Sequence, residues 1–126
     1  MRKLIFLFVL WVQVAHTQVT FSSTEKYITA WDSEKLAFSY PQYQDNVALF
    51  WFDEEYGRFN QSGEIENSWI VTNVSSSIDN ILSFTGLDAQ LREYFIIIDL
   101  VKMEIRILLD YDGDTYLIGY LIKTMI

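Results

Sequence analysis

Short apolar runs separated by polar or glycine-containing breaks constrain the fold of this chain more than any other feature of its sequence. The runs are rich in Ile, Val, Phe, Tyr and Trp and recur at intervals of about ten residues, which is typical of β-strands in an antiparallel sandwich or barrel. We therefore predict an all-β protein, either a small antiparallel β-barrel or a β-sandwich. The main predicted strands are residues 47–52, 65–74, 78–84, 94–101, 103–109 and 116–122, and short edge strands are predicted at 19–21 and 36–38.

The dipeptide Asp112-Gly113 lies between two of these runs and predicts a β-hairpin. Asp-Gly favours a two-residue type I′ turn, because both central residues of that turn need a positive φ. Such a turn fixes the strand register and places six apolar side chains on one face, whereas a shift by one residue would lose that face. We predict that this face points inward and lines either a filled core or a ligand cavity; its residues are Ile105, Ile107, Leu109, Tyr116, Ile118 and Tyr120.

The segment from Asp88 to Met103 fits two kinds of secondary structure. Apolar residues recur there at helical spacing behind Asp88, a residue suited to a helix N-cap. The three consecutive isoleucines at 96–98 argue against a helix, because β-branched side chains favour strands. We therefore predict a helical turn or loop from Asp88 to Arg92 that leads into a strand.

The chain begins with the three parts of a secretory signal peptide: a basic start, an apolar run to Val14 and a small-residue exit. A transmembrane anchor is the alternative, but it needs about 20 apolar residues, and polar residues interrupt this run from Gln13 onward. We therefore predict a signal peptide at 1–17 and a mature chain that starts at Gln18. Residues 18–126 are then a single β-rich domain that is secreted to the extracellular space.

The predicted mature domain is strongly acidic and contains no cysteine. After removal of Arg2 and Lys3 the chain keeps seven Lys and Arg against seventeen Asp and Glu, a net charge of −10. A surface of this charge repels phosphate backbones and anionic lipid head groups, so we expect neither a nucleic-acid partner nor membrane docking. Because there are no disulfides, burial of apolar side chains must hold the fold together.

Histidine and cysteine, two residue types common in catalytic sites, are nearly absent from this sequence. His16, the only histidine, falls within the predicted signal peptide, and cysteine is absent, which excludes histidine-based and thiol catalysis in the mature chain. We therefore predict that the protein is not an enzyme, and the sequence implies no cofactor and no metal. Asp110, Asp112 and Asp114 do not fit the EF-hand pattern. Calcium binding outside that pattern stays an alternative to a solvated turn.

Two Asn-x-Ser triplets, at Asn60 and Asn73, predict N-glycosylation of a secreted glycoprotein. Strict alternation along the predicted strand puts Asn73 on the same face as Trp69 and Val71. If Asn73 carries a glycan, that face cannot all belong to the core. Either the strand then ends early or the triplet is unused.

The aromatic run Phe50-Trp51-Phe52 predicts a ring on the outside of the fold. Aromatic residues make up 17% of the chain, and core filling is the expected role for most of them. Successive strand residues point to opposite faces, so these three rings cannot all enter one cavity. At least one therefore marks a partner surface or packs under a loop.

The segment around the predicted hairpin resembles the lipocalin motif built around Thr-Asp-Tyr, often seen as Leu-Asp-Thr-Asp-Tyr-x-x-Tyr-x-Ile-x-Tyr. Tyr111 and Gly113 replace the Thr and Tyr of the central triplet, and the likeness covers residues 104–121. It implies a lipocalin-like or calycin-like antiparallel barrel that carries a small hydrophobic molecule without catalysis. The residues in step with the motif are Leu109, Asp110, Asp112, Tyr116, Ile118 and Tyr120.

Two functions therefore stay open at the level of sequence. The first is a secreted, non-enzymatic binder or carrier of a small hydrophobic ligand, with the six inward residues of the hairpin as its ligand-binding residues. The second is a secreted protein-interaction module, such as an effector, venom or secretion component, that meets an unidentified protein and holds no small molecule. Apolar strands facing a cavity favour the first, and a filled core with exposed rings favours the second.

Overall fold

The computed structural model describes residues 19–126, in which every regular element is a β-strand. The predicted signal peptide and Gln18 lie outside the described residues. Within the described part of the chain, no helix has the length and apolarity needed to cross a membrane. The strands are β1 (Thr20–Asp32), β2 (Ala37–Phe38), β3 (Gln42–Asp53), β4 (Arg58–Gly63), β5 (Asn67–Ile78), β6 (Ile81–Leu87), β7 (Glu93–Asp99), β8 (Glu104–Tyr111) and β9 (Asp114–Met125).

The strands form a closed antiparallel barrel. From β3 to β9 each strand pairs with the next one in the chain, and β1 pairs with both β3 and β9, which closes an eight-stranded wall. The short β2 pairs with the end of β1, where Trp31 lies opposite Phe38. Closure pairs the strand edges that an open sheet would expose. The prediction of an all-β fold is confirmed, and of the two predicted architectures the barrel is the one observed.

The β8–β9 hairpin has the predicted turn and register. Asp112 and Gly113 have φ angles of 52° and 84°, as the central residues of a type I′ turn require. The facing pairs are Leu109 with Tyr116, Ile107 with Ile118, and Ile105 with Tyr120. The local turn signal therefore sets the register of these two strands correctly.

Two strands occur where the apolar pattern predicts little or nothing. β1 continues far beyond the edge strand predicted at 19–21, and β4 has no predicted counterpart. Both strands place polar side chains inside the barrel, such as Ser23 and Gln61, which are 2% exposed. Their apolar periodicity is therefore weak. Hydrogen-bonded neighbours on both sides hold each of them in the wall.

The boundary predicted at residue 78 is wrong. Ile78 ends β5, and Asp79 and Asn80 form a two-residue turn before Ile81 begins β6. Asn80 has a φ of 66°, a conformation that asparagine tolerates better than most residues. The apolar residues on either side of this turn belong to two different strands.

Aromatic side chains fill the part of the barrel next to β3, β4, β5 and β6. The buried ring of Phe59 lies 4.8–6.1 Å, centroid to centroid, from the rings of Phe50, Phe52, Phe84 and Trp69. Aromatic pairs at such distances add about 0.5–1.5 kcal/mol each beyond the burial of their area. The opposite side of the core is aliphatic and includes Ile96, Ile98, Ile105 and Ile107.

The run Phe50-Trp51-Phe52 divides between the two faces of β3. Phe50 and Phe52 are inside, with exposures of 0% and 3%, and Trp51 is half-buried outside, opposite Asn60 of β4. The prediction that at least one of these rings lies on the outer face is confirmed.

Candidate functional site at the turn end of the barrel

The predicted ligand-binding face of the hairpin lies inside the barrel, and its burial changes along its length. Ile105, Ile107 and Tyr120 are sealed in the core, with exposures of 0%, 3% and 2%. Leu109, Tyr116 and Ile118, which are closer to the β8–β9 turn, are half-buried. We call the end of the barrel that carries this turn the turn end. The lining is therefore tightly packed in the middle of the barrel and more open at the turn end.

A cleft opens in the barrel wall at the turn end, because β7 and β8 separate there. Their pairing stops at Phe95 and Leu108, although both strands continue past that pair. The cleft has a volume of about 450 Å³. Its lining residues are Thr85, Glu93, Tyr94, Phe95, Leu108, Leu109, Asp110 and Thr115.

Residues from both faces of the wall meet in this cleft. Strand alternation assigns Phe95 and Leu108 to the outer face and Tyr94 and Leu109 to the inner face. Two exposed carboxylates and two threonine hydroxyls add polar groups. Leu109 is the one predicted ligand-binding residue in the lining. The cleft therefore combines apolar side chains with carboxylate and hydroxyl groups.

The loop before β7 holds Tyr94 in position. The Tyr94 hydroxyl donates a hydrogen bond to Asp88 Oδ2 at 3.0 Å, and the Tyr94 ring packs edge-on against Trp69 with centroids 5.7 Å apart. Asp88 also accepts hydrogen bonds from the backbone N–H groups of Gln90 and Arg92 and from the Arg92 guanidinium. Burial and the hydrogen bond to Asp88 raise the pKa of Tyr94, so its hydroxyl stays a donor. This loop is the turn predicted from Asp88 to Arg92.

Lys26 lies inside the barrel on β1. Its side chain is 8% exposed, and its Nζ atom is 5.9 Å from the centroid of the Tyr120 ring. Burial raises the pKa of Tyr120, whose hydroxyl accepts a hydrogen bond from Gln61 Nε2 at 3.0 Å. The buried Asn46 Oδ1 has no hydrogen-bond partner within residues 19–126. No sequence pattern marks Lys26 as an interior residue, because a β-bulge between Ser23 and Glu25 determines its orientation.

The two predicted glycosylation sites both lie on the outer face. Asn60 is half-buried, and its Oδ1 accepts a hydrogen bond from Ser68 Oγ at 2.6 Å. Asn73 is exposed, because a β-bulge between Val71 and Asn73 reverses the alternation and turns Val74 inward instead. The strand therefore neither ends early nor puts Asn73 in the core.

The three aspartates of the β8–β9 turn are exposed and do not converge. Asp110 Oδ1 accepts a hydrogen bond from Thr115 Oγ1 at 2.6 Å across the hairpin. Asp112 and Asp114 flank Gly113 in the turn itself. Across residues 19–126, no group of three acidic or histidine side chains is arranged to hold a metal ion.

No family model, curated protein or solved structure matches this chain. Its function therefore has to be inferred from its own fold and surfaces.

Proposed function

We propose that this chain is a secreted, non-enzymatic binder or carrier of a small hydrophobic molecule, which it holds at the turn end of the barrel. The observation that carries this proposal is the cleft of about 450 Å³ between β7 and β8. Small-molecule sites are typically concave and about 300–1,000 Å³ in volume, with a few polar groups beside the apolar surface. Phe95, Leu108 and Leu109 give the cleft its apolar surface.

The filled part of the barrel limits the size of such a ligand. Rings packed around Phe59 fill the interior next to β3–β6 and isoleucines fill it next to β7 and β8, so the space for a ligand lies at the turn end. The half-buried Leu109, which lines the cleft from the inner face, would contact its apolar part. A lipocalin-like relationship belongs to this proposal, and the closed eight-stranded barrel with neighbouring strands paired in sequence order supports it.

Substitution of the cleft surface tests the proposal. A fluorescent apolar probe would be titrated into the wild type, Leu108→Gln and Leu121→Gln, and its dissociation constant measured for each protein. Both leucines are half-buried on the outer face of neighbouring strands, but only Leu108 lines the cleft. We expect Leu108→Gln to weaken probe binding roughly tenfold, because an apolar contact is replaced by a desolvated amide. Leu121→Gln is the matched control and should bind as the wild type does.

Equal binding by both variants would show that the probe sits elsewhere. Absence of saturable binding to the wild type would refute the small-molecule function altogether. Melting curves of the three proteins would verify that the comparison is made between folded molecules.

A second candidate function, that of a protein-interaction module, is favoured by exposed rings beside the β1–β2 connection. Trp31 and Phe38 pack edge-on with centroids 5.2 Å apart and remain 41% and 38% exposed. Tyr40 follows with an exposure of 91%. Exposed aromatic groups of this kind are typical of protein-binding surfaces.

Native mass spectrometry of protein purified from secretory cells separates the two functions. A mass increase of a few hundred daltons would support the small-molecule binder. A bound protein that Trp31→Ser and Phe38→Ser release would support the interaction module, since those substitutions leave the cleft unchanged.

A further inference from the structure

Lys26 lies inside the barrel and forms no ion pair with any residue of the described chain. Its exposure is 8%, and the ion pairs within residues 19–126 join Arg92 to Asp88 and Arg106 to Asp99 and Glu104. Burial of an ammonium group is unfavourable unless the charge is paired, and buried lysines without a partner are rare. The Tyr120 ring, 5.9 Å away, compensates for part of this loss through its π face.

The inward orientation of Lys26 is built into the strand. Lys26 is the register partner of Gln44 on β3 and of the buried Tyr120 on β9. A β-bulge between Ser23 and Glu25 inserts one residue and reverses the alternation. Without that bulge Lys26 would face solvent, as charged strand residues normally do. The wall is therefore shaped so that an ammonium group points into the barrel.

The side-chain oxygen of Asn46, also inside the barrel, has no partner among residues 19–126 either. Asn46 is 7% exposed, and its Oδ1 receives no hydrogen bond within the described chain. Asn46 lies two residues along β3 from Gln44, the register partner of Lys26. The interior of the barrel therefore presents a lysine without an ion pair and a buried amide oxygen without a hydrogen-bond partner within residues 19–126.

Apolar groups adjoin this cation on the side of the turn end. The next inward pair along β1 and β9 is Ile28 with Ile118, and both residues are half-buried. A ligand with its head group at Lys26 would therefore lay its apolar part along Ile28 and Ile118 toward the turn end. This arrangement suits an amphiphile and not a free inorganic anion.

We propose that Lys26 binds the head group of the ligand and that the ligand is a small amphiphilic carboxylate. This inference rests on the proposed small-molecule function. The carboxylate supplies the missing counter-ion, and the ammonium group donates charge-assisted hydrogen bonds to it. Attraction of the carboxylate depends on Lys26 itself, because the predicted mature chain has seven Lys and Arg against seventeen Asp and Glu, a net charge of −10. Hydrogen bonds to charged groups in such a setting change affinity by roughly ten- to hundredfold.

Paired ligands of the same chain length test the inference. Dissociation constants of decanoic acid and decan-1-ol would be measured by displacement of the apolar probe, at concentrations where both ligands are fully dissolved and neither aggregates. We expect the wild type to prefer the acid over the alcohol by at least roughly tenfold. Lys26→Met should abolish that preference and leave alcohol binding nearly unchanged. Lys26→Arg keeps the charge and should retain the preference.

Lys123→Met is the matched control, because Lys123 is an exposed lysine on β9. It should behave as the wild type does. Lys26→Met is expected to fold, because an apolar side chain of similar length replaces a buried charge. Equal affinities of the wild type for acid and alcohol would overturn the role of Lys26 and leave the proposed function intact. If the probe binds but neither ligand displaces it, the assignment of an amphiphilic carboxylate fails and the proposed function stands. If the probe itself shows no saturable binding, the proposed function fails.

Discussion

The ring of Tyr27 lies directly on the backbone of Gly119, in the space that a β-carbon at position 119 would occupy. The two residues are register partners on β1 and β9, on the outer face of the barrel. The Tyr27 hydroxyl donates a hydrogen bond to Glu104 Oε2 at 3.1 Å. Arg106 joins Glu104 to the buried Asp99, with nitrogen–oxygen distances of 3.1 and 2.9 Å. Tyr27 therefore links β1 to β8 and β9 at the position where the barrel closes.

Gly119→Ala should destabilise the protein by about 1–3 kcal/mol, because the added methyl group displaces the Tyr27 ring. Urea denaturation of the wild type and the variant would measure the change. In a Tyr27→Ala background the same substitution should cost much less, since the ring is gone. A cost that is equal in both backgrounds would show that the contact is not responsible.

Stability should fall at alkaline pH through Tyr27. Burial and then the negative charge of Glu104 raise the pKa of Tyr27 to about 12, against about 10 in an unfolded chain. The folded protein favours the neutral phenol, so this contribution is complete below pH 10 and is lost as the pH rises toward 12. Urea midpoints measured across this range should fall less steeply in Tyr27→Phe than in the wild type. If the urea midpoints of the two proteins fell equally steeply with pH, Tyr27 would not be the cause of the loss. Tyr94 and Tyr120 are present in both proteins and would then account for it.

Ile107→Ala should cost about 2–5 kcal/mol, because Ile107 lies in a filled part of the core with an exposure of 3%. The outer-face Leu117, which is half-buried on β9, provides the comparison. Leu117→Ala should cost clearly less, since solvent replaces part of the lost contact. Equal and small effects on thermal unfolding would show that the inner face of β8 is not packed.

Gly113→Val should destabilise the fold by about 1–3 kcal/mol through backbone strain, because Gly113 has a φ of 84° that a β-branched residue rarely adopts. No atom lies close enough to obstruct a β-carbon there, so the effect is conformational and not steric. Gly113→Asn should be milder, since asparagine tolerates positive φ. Calorimetric melting of the three proteins tests this ranking. A melting temperature of Gly113→Val equal to that of the wild type would refute it.

We expect the secreted product to begin at or near Gln18, because the basic start, the apolar run and the small-residue exit follow the pattern of a cleavable signal peptide. N-terminal sequencing of the protein recovered from the medium of expressing cells would measure this directly. Recovery of a product that still begins at Met1 would contradict both cleavage and the domain boundary.

Local sequence alone determined the β8–β9 hairpin. Asp112-Gly113 allows the positive φ angles of a two-residue turn, and the turn fixes which residues face each other. Alternation then puts Ile105 and Ile107 inside. This part of the fold was predictable because its signals lie within a few residues of the structure they specify.

Only the tertiary structure decided which way Lys26 and Asn73 point. Each follows a β-bulge, and one inserted residue reverses the alternation that sequence patterns assume. β1 and β4 are held in the wall by hydrogen bonds to their neighbouring strands. Their inward-facing Ser23 and Gln61 are polar, so the alternation of apolar residues that predicts a strand is weak there. The cleft exists because β7 and β8 part beyond Phe95 and Leu108. Bulges, closure and the end of a ladder depend on pairing between segments distant in the chain, and that pairing is decided by the packing of the whole barrel.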